Sequence, residues 1–279
     1  MENKDKFSFG RMWLVLKSDL MSNKKQIIYN FITLYGVFML VELFLLTSHC
    51  NFETFTYGYA GTIDVVIRIL ALFYISTIMR PMMTKQKRIS FLLLPATNAV
   101  KFGSRLLYTT AGFFVLAMLA LVAALVSRYI MLPLVSADSE FYTNSAIIPV
   151  FKVLFSGDNE AIFDGSKYIM SSEYSTALTC VLVLCTYSIY LLGGSIWYRY
   201  AFIKTVASLT VISVGGMIIL GLLASLPSFI NFLESWPEEW ADGTVIAFIT
   251  IVAAVTIFNV WMSYRLFRRS QVITTIRFR

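Results

Sequence analysis

Three charged residues interrupt apolar runs of the chain: Glu42 in the first run, and Asp64 and Arg68 in the second. At the helical rise per residue, Glu42 and Arg68 each lie about five residues, or roughly 7 Å, inside the same side of a membrane. Ionisable side chains at such depth pair with one another or line a cavity. We therefore predict that Arg68 pairs with Glu42, with Asp64 one helical turn away as a second partner. Both an ion pair between helices and the polar lining of an outer gate remain open.

The loop 80–105 is the second region with chemical potential, because it is basic and holds an apolar patch. It contains no acid, and its basic residues are Arg80, Lys85, Lys87, Arg88, Lys101 and Arg105. Its centre, at 91–98, is too short and too broken to span a bilayer. This combination predicts a cytoplasmic docking surface, with a patch lying in the membrane interface as the alternative.

Covalent chemistry is not expected of this chain, so we predict neither a catalytic residue nor a metal site. The sequence has no GxxxxGK[ST] phosphate-binding loop, and its single histidine, His49, excludes a site built from several histidines. Cys50, Cys180 and Cys185 are interpreted as packing residues. These absences indicate a transport or interaction protein that is not an enzyme.

The composition predicts an all-α polytopic membrane protein. The chain is 58% hydrophobic and 14% charged, which is well below the charged fraction of about 25% in soluble domains. Runs of about 20 apolar residues are long enough to cross a bilayer as helices. Six such runs are present, at 27–46, 63–79, 106–126, 175–197, 205–226 and 245–264.

The positions of the charges predict that both termini are cytoplasmic. Most of the 23 lysines and arginines fall in the N-terminal segment, the 80–105 loop, 198–204 and 265–279, whereas most acids fall in the alternate segments. The net charge of +7 is thereby explained by orientation, so nucleic acid is not expected as a partner. We treat 1–279 as a single membrane domain with an external loop at 127–174.

The segment 7–21, within a cytoplasmic N-terminal region 1–25, has the pattern of an amphipathic helix. Apolar residues recur at helical spacing, and they are Phe9, Met12, Trp13, Leu16 and Leu20. Arg11, Ser18 and Asp19 lie toward the other side. This pattern predicts an elbow helix in the membrane interface, in contact with lipid. Packing against the protein's own cytoplasmic face is the alternative.

Residues 87–105, KRISFLLLPATNAVKFGSR, resemble the loop between spans two and three of bacterial ABC-2 type transporter permeases. Many of those loops place a basic residue before a short run ending Leu-Pro-Ala/Val-Ser/Thr, followed by a lysine before span three. The elbow helix, six spans and cytoplasmic termini are similar to that family as well. One departure is that 84–90 contains no acid, although the family often has one there.

The resemblance implies a permease subunit in a bacterial cytoplasmic membrane. It implies a dimer of like or unlike permease chains and a separate P-loop ATPase subunit that carries ATP and magnesium, leaving no cofactor in this chain. The implied activity is export of a lipid, a hydrophobic peptide or a drug-like molecule. The implied coupling residues are Lys87, Arg88, Phe91, Leu93, Leu94, Pro95, Thr97, Asn98 and Lys101.

Specific roles follow from the same resemblance. Phe91, Leu93 and Leu94 would fill an apolar groove on the ATPase, and Lys87, Arg88 and Lys101 would pair with acids at its rim. Pro95 would end one short helix, and Thr97 or Asn98 would cap the next.

Two other functions remain open from the sequence. A non-transporting scaffold or assembly subunit would use the basic loop to bind another cytoplasmic partner. A secondary transporter is less favoured, because the intramembrane charges are expected near the outer surface and not at the midplane.

Overall fold

A computed structural model describes residues 9–47, 52–94, 96–135, 172–225 and 241–270. All regular structure in these residues is helical. The α-helices are α1 (Phe9–Ser22), α2 (Lys24–Thr47), α3 (Phe52–Ser76), α4 (Lys85–Leu92), α5 (Asn98–Val135), α6 (Ser172–Ile196), α7 (Ala201–Ala224) and α8 (Ala241–Ser270). A short 3-10 helix, Arg80–Met82, precedes α4.

Six of these helices are long and apolar enough to cross a membrane, which confirms the predicted class of multi-pass α-helical protein. Their ends differ from the expected ones. α3 begins at Phe52 and not near 63, and α5 runs from Asn98 to Val135 although only 106–126 was expected. The backbone hydrogen bonds of a helix continue through polar residues at the ends of an apolar run. The first residues of the predicted external loop, 127–135, are therefore helical, and 136–171 lie outside the described residues.

The two compact units of the chain are described separately. The first comprises Met1–Tyr74 and Gly103–Lys167, and therefore α1, α2, most of α3 and most of α5. Its core joins Phe38 of α2 and Phe55 of α3 to one stripe of α5. That stripe is rich in alanine, at 117, 120 and 124, and small side chains let membrane helices approach closely.

α1 confirms a helix in the segment predicted to form one, but its faces differ from the expectation. Val15, Leu16 and Asp19 are buried, whereas Phe9 and Trp13 are exposed. Asp19 was expected on the solvent side and Leu16 on the membrane side. The helix instead buries a stripe that includes its only acid and leaves a neighbouring aromatic stripe outside.

The second unit comprises Ile75–Phe102 and Tyr168–Arg279, and therefore the end of α3, α4, the first turn of α5, and α6 to α8. α6 packs against both α7 and α8. The close approaches are made at two adjacent glycines of α6: a Cβ on Gly194 would lie 2.5 Å from the carbonyl oxygen of Ser76, and one on Gly193 would overlap Thr205. The Asn259 side chain of α8 donates a hydrogen bond of 3.1 Å to the Ser188 hydroxyl of α6.

Candidate functional site

The segment from Arg80 to Asn98 is held in place partly by its own backbone. Pro81 lies in the first turn of the 3-10 helix, a position that needs no backbone N–H. The Arg88 guanidinium of α4 donates a 3.0 Å hydrogen bond from Nη2 to the carbonyl oxygen of Met82. α4 is thereby tied to the 3-10 helix before it.

One face of α4 is buried in a cluster of aromatic rings, which we call the ring cluster: Phe91, Phe102, Tyr264 and Phe267. The Phe91 ring meets Phe267 edge-on with 6.2 Å between centroids. Phe102 of α5 lies 5.5 Å from Phe267 and 5.6 Å from Tyr264. Edge-to-face and tilted ring pairs at these separations are favourable beyond the apolar area they bury. The cluster fixes α4 to the last turns of α8.

The opposite face of α4 is exposed and apolar, and we call Ile89 and Leu93 the α4 outer pair. The side chain of Leu93 is 76% exposed and that of Ile89 49%. The Leu93 N–H donates to the Ile89 carbonyl at 3.0 Å, so the helical turn continues through this position. Residues four apart lie on one face of a helix, whereas Phe91 points away from both.

The structure thus divides the predicted coupling residues between these two faces. Leu93 is on the surface, but Phe91 and Lys101 are each only 4% exposed. The expectation that these two side chains project toward a partner is wrong, because Phe91 packs on Phe267 and the Lys101 ammonium lies 6.0 Å from the Phe91 ring. A short amphipathic pattern does not say which of its apolar residues faces the protein's own core.

The remaining coupling residues have mixed outcomes. The Thr97 hydroxyl accepts a 3.4 Å hydrogen bond from the Val100 N–H, which confirms it as the N-cap of α5, and Asn98 is the first helical residue. Leu94 and Arg88 are half-buried. Pro95 and the side chain of Lys87 lie outside the described residues.

The three intramembrane charges are arranged differently from the expectation. Arg68 forms an ion pair of 2.8 Å with Asp64, which confirms that pairing. The predicted pair between Arg68 and Glu42 is wrong. Glu42 is fully buried and neither of its carboxylate oxygens has a hydrogen-bond partner among the described residues, whereas the Arg68 side chain is 61% exposed.

Glu42 lies instead beside two other buried polar residues, Tyr59 of α3 and Arg128 of α5. The charge of Arg128 acts electrostatically on both of them. Its guanidinium also lies over the rings of Phe52, Phe55 and Tyr129, at 5.4–5.8 Å from their centroids. Cation–π contact of this kind offsets part of the cost of burying the charge. The sequence did contain a signal for Arg128: the residues that follow it, at 129–135, are mostly apolar, and α5 continues through them.

A second polar contact that the sequence did not predict joins Asp19 of α1 to Arg105 of α5. The Arg105 Nη2 donates to Asp19 Oδ1 at 2.8 Å, and both side chains are nearly buried. Burial raises the pKa of the Asp19 carboxyl above its ordinary value, against the opposing attraction of Arg105. The signal in the sequence was that Asp19 is the only acid of an otherwise basic and apolar helix.

Comparisons with other proteins do not assign this arrangement to a family. No family model, no curated protein and no solved structure matches the chain. Within the described ranges, no group of three or more His, Cys, Asp or Glu residues could hold a metal ion.

Proposed function

We propose that this chain is the membrane-spanning permease subunit of an ATP-driven exporter that is energised by a separate P-loop ATPase. The observation that carries the proposal is the division of α4 into two faces. The ring cluster fixes the helix to α8, and the α4 outer pair stays exposed on the other face. An exposed apolar pair, in a segment whose sequence is basic and contains no acid, fits an apolar groove with an acidic rim on a partner protein.

Anchoring by the ring cluster gives α4 the rigidity that a coupling element needs. A force on the α4 outer pair would pass through Phe91 and Phe267 into α8, and α8 packs on α6. Conformational change of this kind requires the partner to bind two states with different affinity. ATP binding and hydrolysis on the partner supplies that difference in the proposed mechanism, and this chain contributes no catalytic residue.

The proposed orientation places both termini and the 80–105 loop in the cytoplasm of a bacterium. α1 is then the elbow helix, with Phe9 and Trp13 at headgroup depth in the inner leaflet. Support comes from the concentration of lysine and arginine in these segments. Exposed aromatic side chains beside a basic surface are typical of a helix at that interface.

A second permease chain, like or unlike this one, completes the proposed transporter. α7 and α8 expose most of their apolar surface, since only 6% of the most apolar window of each is buried. Lipid and a second chain are the two kinds of neighbour that suit such surfaces in a membrane.

The test is affinity purification of the chain from its native host in mild detergent, followed by identification of the proteins that accompany it. We expect a P-loop ATPase in stoichiometric amount. The amount of bound ATPase should fall at least about tenfold in an Ile89→Ser/Leu93→Ser variant, because two truncated apolar anchors at about 1 kcal/mol each exceed the roughly 1.4 kcal/mol of a tenfold change in affinity. Leu14→Ser, at an exposed apolar residue of α1, is the matched control and should retain the ATPase.

Two results would contradict the proposal. The first is a monodisperse wild-type chain without any ATPase. The second is an ATPase that remains bound to the Ile89→Ser/Leu93→Ser variant. A different cytoplasmic protein that is lost from that variant would instead identify a scaffold or assembly subunit.

A further inference from the structure

The exposed side of α3 is polar in the middle of its candidate membrane span, which is the reverse of what lipid favours. Asp64 is the central residue of the helix Phe52–Ser76, and Arg68 lies one turn beyond it. Both side chains are accessible, Asp64 at 34% and Arg68 at 61%. The sequence predicted Arg68 near the outer surface, but α3 begins eleven residues earlier than expected, and the pair lies near the middle of the candidate membrane span Thr54–Met82.

The polar residues continue as one stripe along the helix, which we call the α3 stripe: Thr54, Tyr57, Gly61, Asp64 and Arg68. At about 100° per residue these positions fall within roughly 80° of one another. All are exposed or partly exposed, and a Cβ on Gly61 would meet no atom within 4 Å. The buried core residues Phe55, Tyr59 and Ile63 lie on the other side of α3.

Lipid is a poor neighbour for this stripe. Charged side chains at the centre of a membrane helix are unfavourable against hydrocarbon, and in membrane proteins they face a bundle interior or a water-filled cavity. The ion pair is bidentate, since Arg68 Nε donates to Asp64 Oδ1 and Nη2 lies 2.8 Å from Oδ2, but it leaves the other N–H groups of the guanidinium without hydration in lipid. Water supplies those hydrogen bonds.

We propose that the α3 stripe lines a water-filled pathway within the membrane. This inference rests on the proposed transport function, and it specifies the class of substrate that would be transported. A pathway that presents a carboxylate, a guanidinium and a phenol takes an amphiphile with a polar or charged group, and not a purely apolar molecule. The apolar residues beside the stripe, such as Val65 and Ile69, suit the rest of such a substrate.

The test uses single cysteines and a charged, membrane-impermeant thiol reagent. Cys50, Cys180 and Cys185 are first replaced by serine. Gly61→Cys is compared with Ile69→Cys at depth, and Tyr57→Cys with Phe73→Cys nearer the ends of α3. All four positions are exposed in the structure, so only their surroundings differ.

We expect Gly61→Cys and Tyr57→Cys to react at least about tenfold faster than their controls, because the reactive thiolate forms in water and not in lipid. Open space around Gly61 makes that variant compatible with the fold, and a monodisperse profile of each variant checks this. Equal, slow reaction at all four positions would overturn the pathway. Slow reaction at 61 with a disulfide between two copies would overturn it in favour of a packed protein interface.

The reagent reports on water and not on energy coupling, so its outcome is separate from that of the ATPase purification. If the chain binds the ATPase but no introduced thiol reacts fast, the proposed function stands and the proposed pathway is contradicted. If a thiol on the α3 stripe reacts fast but no ATPase binds the chain, the water-filled pathway stands and the chain transports by a mechanism without an ATPase.

Discussion

α1 and α4 are both short helices that precede spans, and each is attached to the beginning of α5 by different chemistry. α1 is held by the ion pair between Asp19 and Arg105. α4 is held by the ring cluster, in which Phe102 of α5 contacts Phe267. The two attachments lie in different compact units and are separated by only three residues of α5.

The two attachments should respond differently to pH and ionic strength. An ion pair that retains some accessibility depends on pH and ionic strength, whereas a buried ring cluster depends on neither. α4 is therefore suited to transmit a load, and α1 to a weaker and adjustable contact. Four substitutions or conditions separate these behaviours, beginning with the largest expected effect.

Phe267→Ala should release α4 from α8. Truncation of a buried phenylalanine costs about 3–5 kcal/mol through lost contacts and the cavity that remains. The measurement is thermal unfolding in detergent together with tryptic cleavage at Lys85 to Arg88, which should accelerate. Phe258→Ala on the exposed side of the same helix is the control and should change neither. Unchanged cleavage in Phe267→Ala would show that the ring cluster does not hold α4.

Arg105→Leu should release α1 and leave α4 in place. Loss of a charge-assisted hydrogen bond costs about 1.5–3 kcal/mol, and Asp19 is left with a buried charge and no Arg105 beside it. Tryptic cleavage at Lys17 should rise while cleavage at Lys85 to Arg88 does not. Asp19→Leu in the same chain should restore much of the loss. If the double variant is no more stable than Arg105→Leu, the two side chains do not act as a pair.

Thr97→Ala should destabilise the protein less, and the effect should be confined to the first turn of α5, next to α4. The hydroxyl caps the first turn of α5, and removing an N-cap costs about 0.5–1 kcal/mol when the hydrogen bond is long. Hydrogen exchange at Val100 and the next residues should increase, with α1 unaffected. Thr97→Asp keeps a capping oxygen and should behave like the wild type. Equal exchange in both variants would exclude the cap.

The smallest of the four effects should be the pH dependence of the docking of α1. Because burial raises the Asp19 pKa, the docked helix binds a proton more tightly than the undocked one. Docking should therefore weaken as pH rises from the ordinary value of 3.8 through the raised pKa, and then stay level. Hydrogen exchange of α1 measured across this range should show the slope, and Asp19→Asn should abolish it. A slope of opposite sign would mean that the attraction of Arg105 outweighs burial.

The spans were predictable from the sequence because run length and hydropathy alone decide which segments cross a membrane. Their ends were not, since α3 begins before the apolar run expected at 63–79 and α5 extends beyond both ends of the run expected at 106–126. Arg128 follows the run expected at 106–126, and it was therefore overlooked as the charge beside Glu42.

The candidate site was predictable as a segment but not as a surface. The resemblance of 87–105 implied a short helix with Phe91, Leu93 and Leu94 toward a partner, yet it could not distinguish the side that packs on Phe267 from the side that is exposed. That choice depends on a residue more than 170 positions away in the chain. The cap at Thr97 needed only local information, and it was correct.

The measurement that tests the central claim most directly is site-specific photo-crosslinking in the native membrane, with a photoreactive residue at position 93 or at position 91. The account predicts that position 93 crosslinks to a P-loop ATPase and that position 91 crosslinks only within the chain, because Leu93 is exposed and Phe91 is buried. Crosslinks from position 93 to lipid alone, in membranes that contain the folded chain, would contradict the proposed coupling surface.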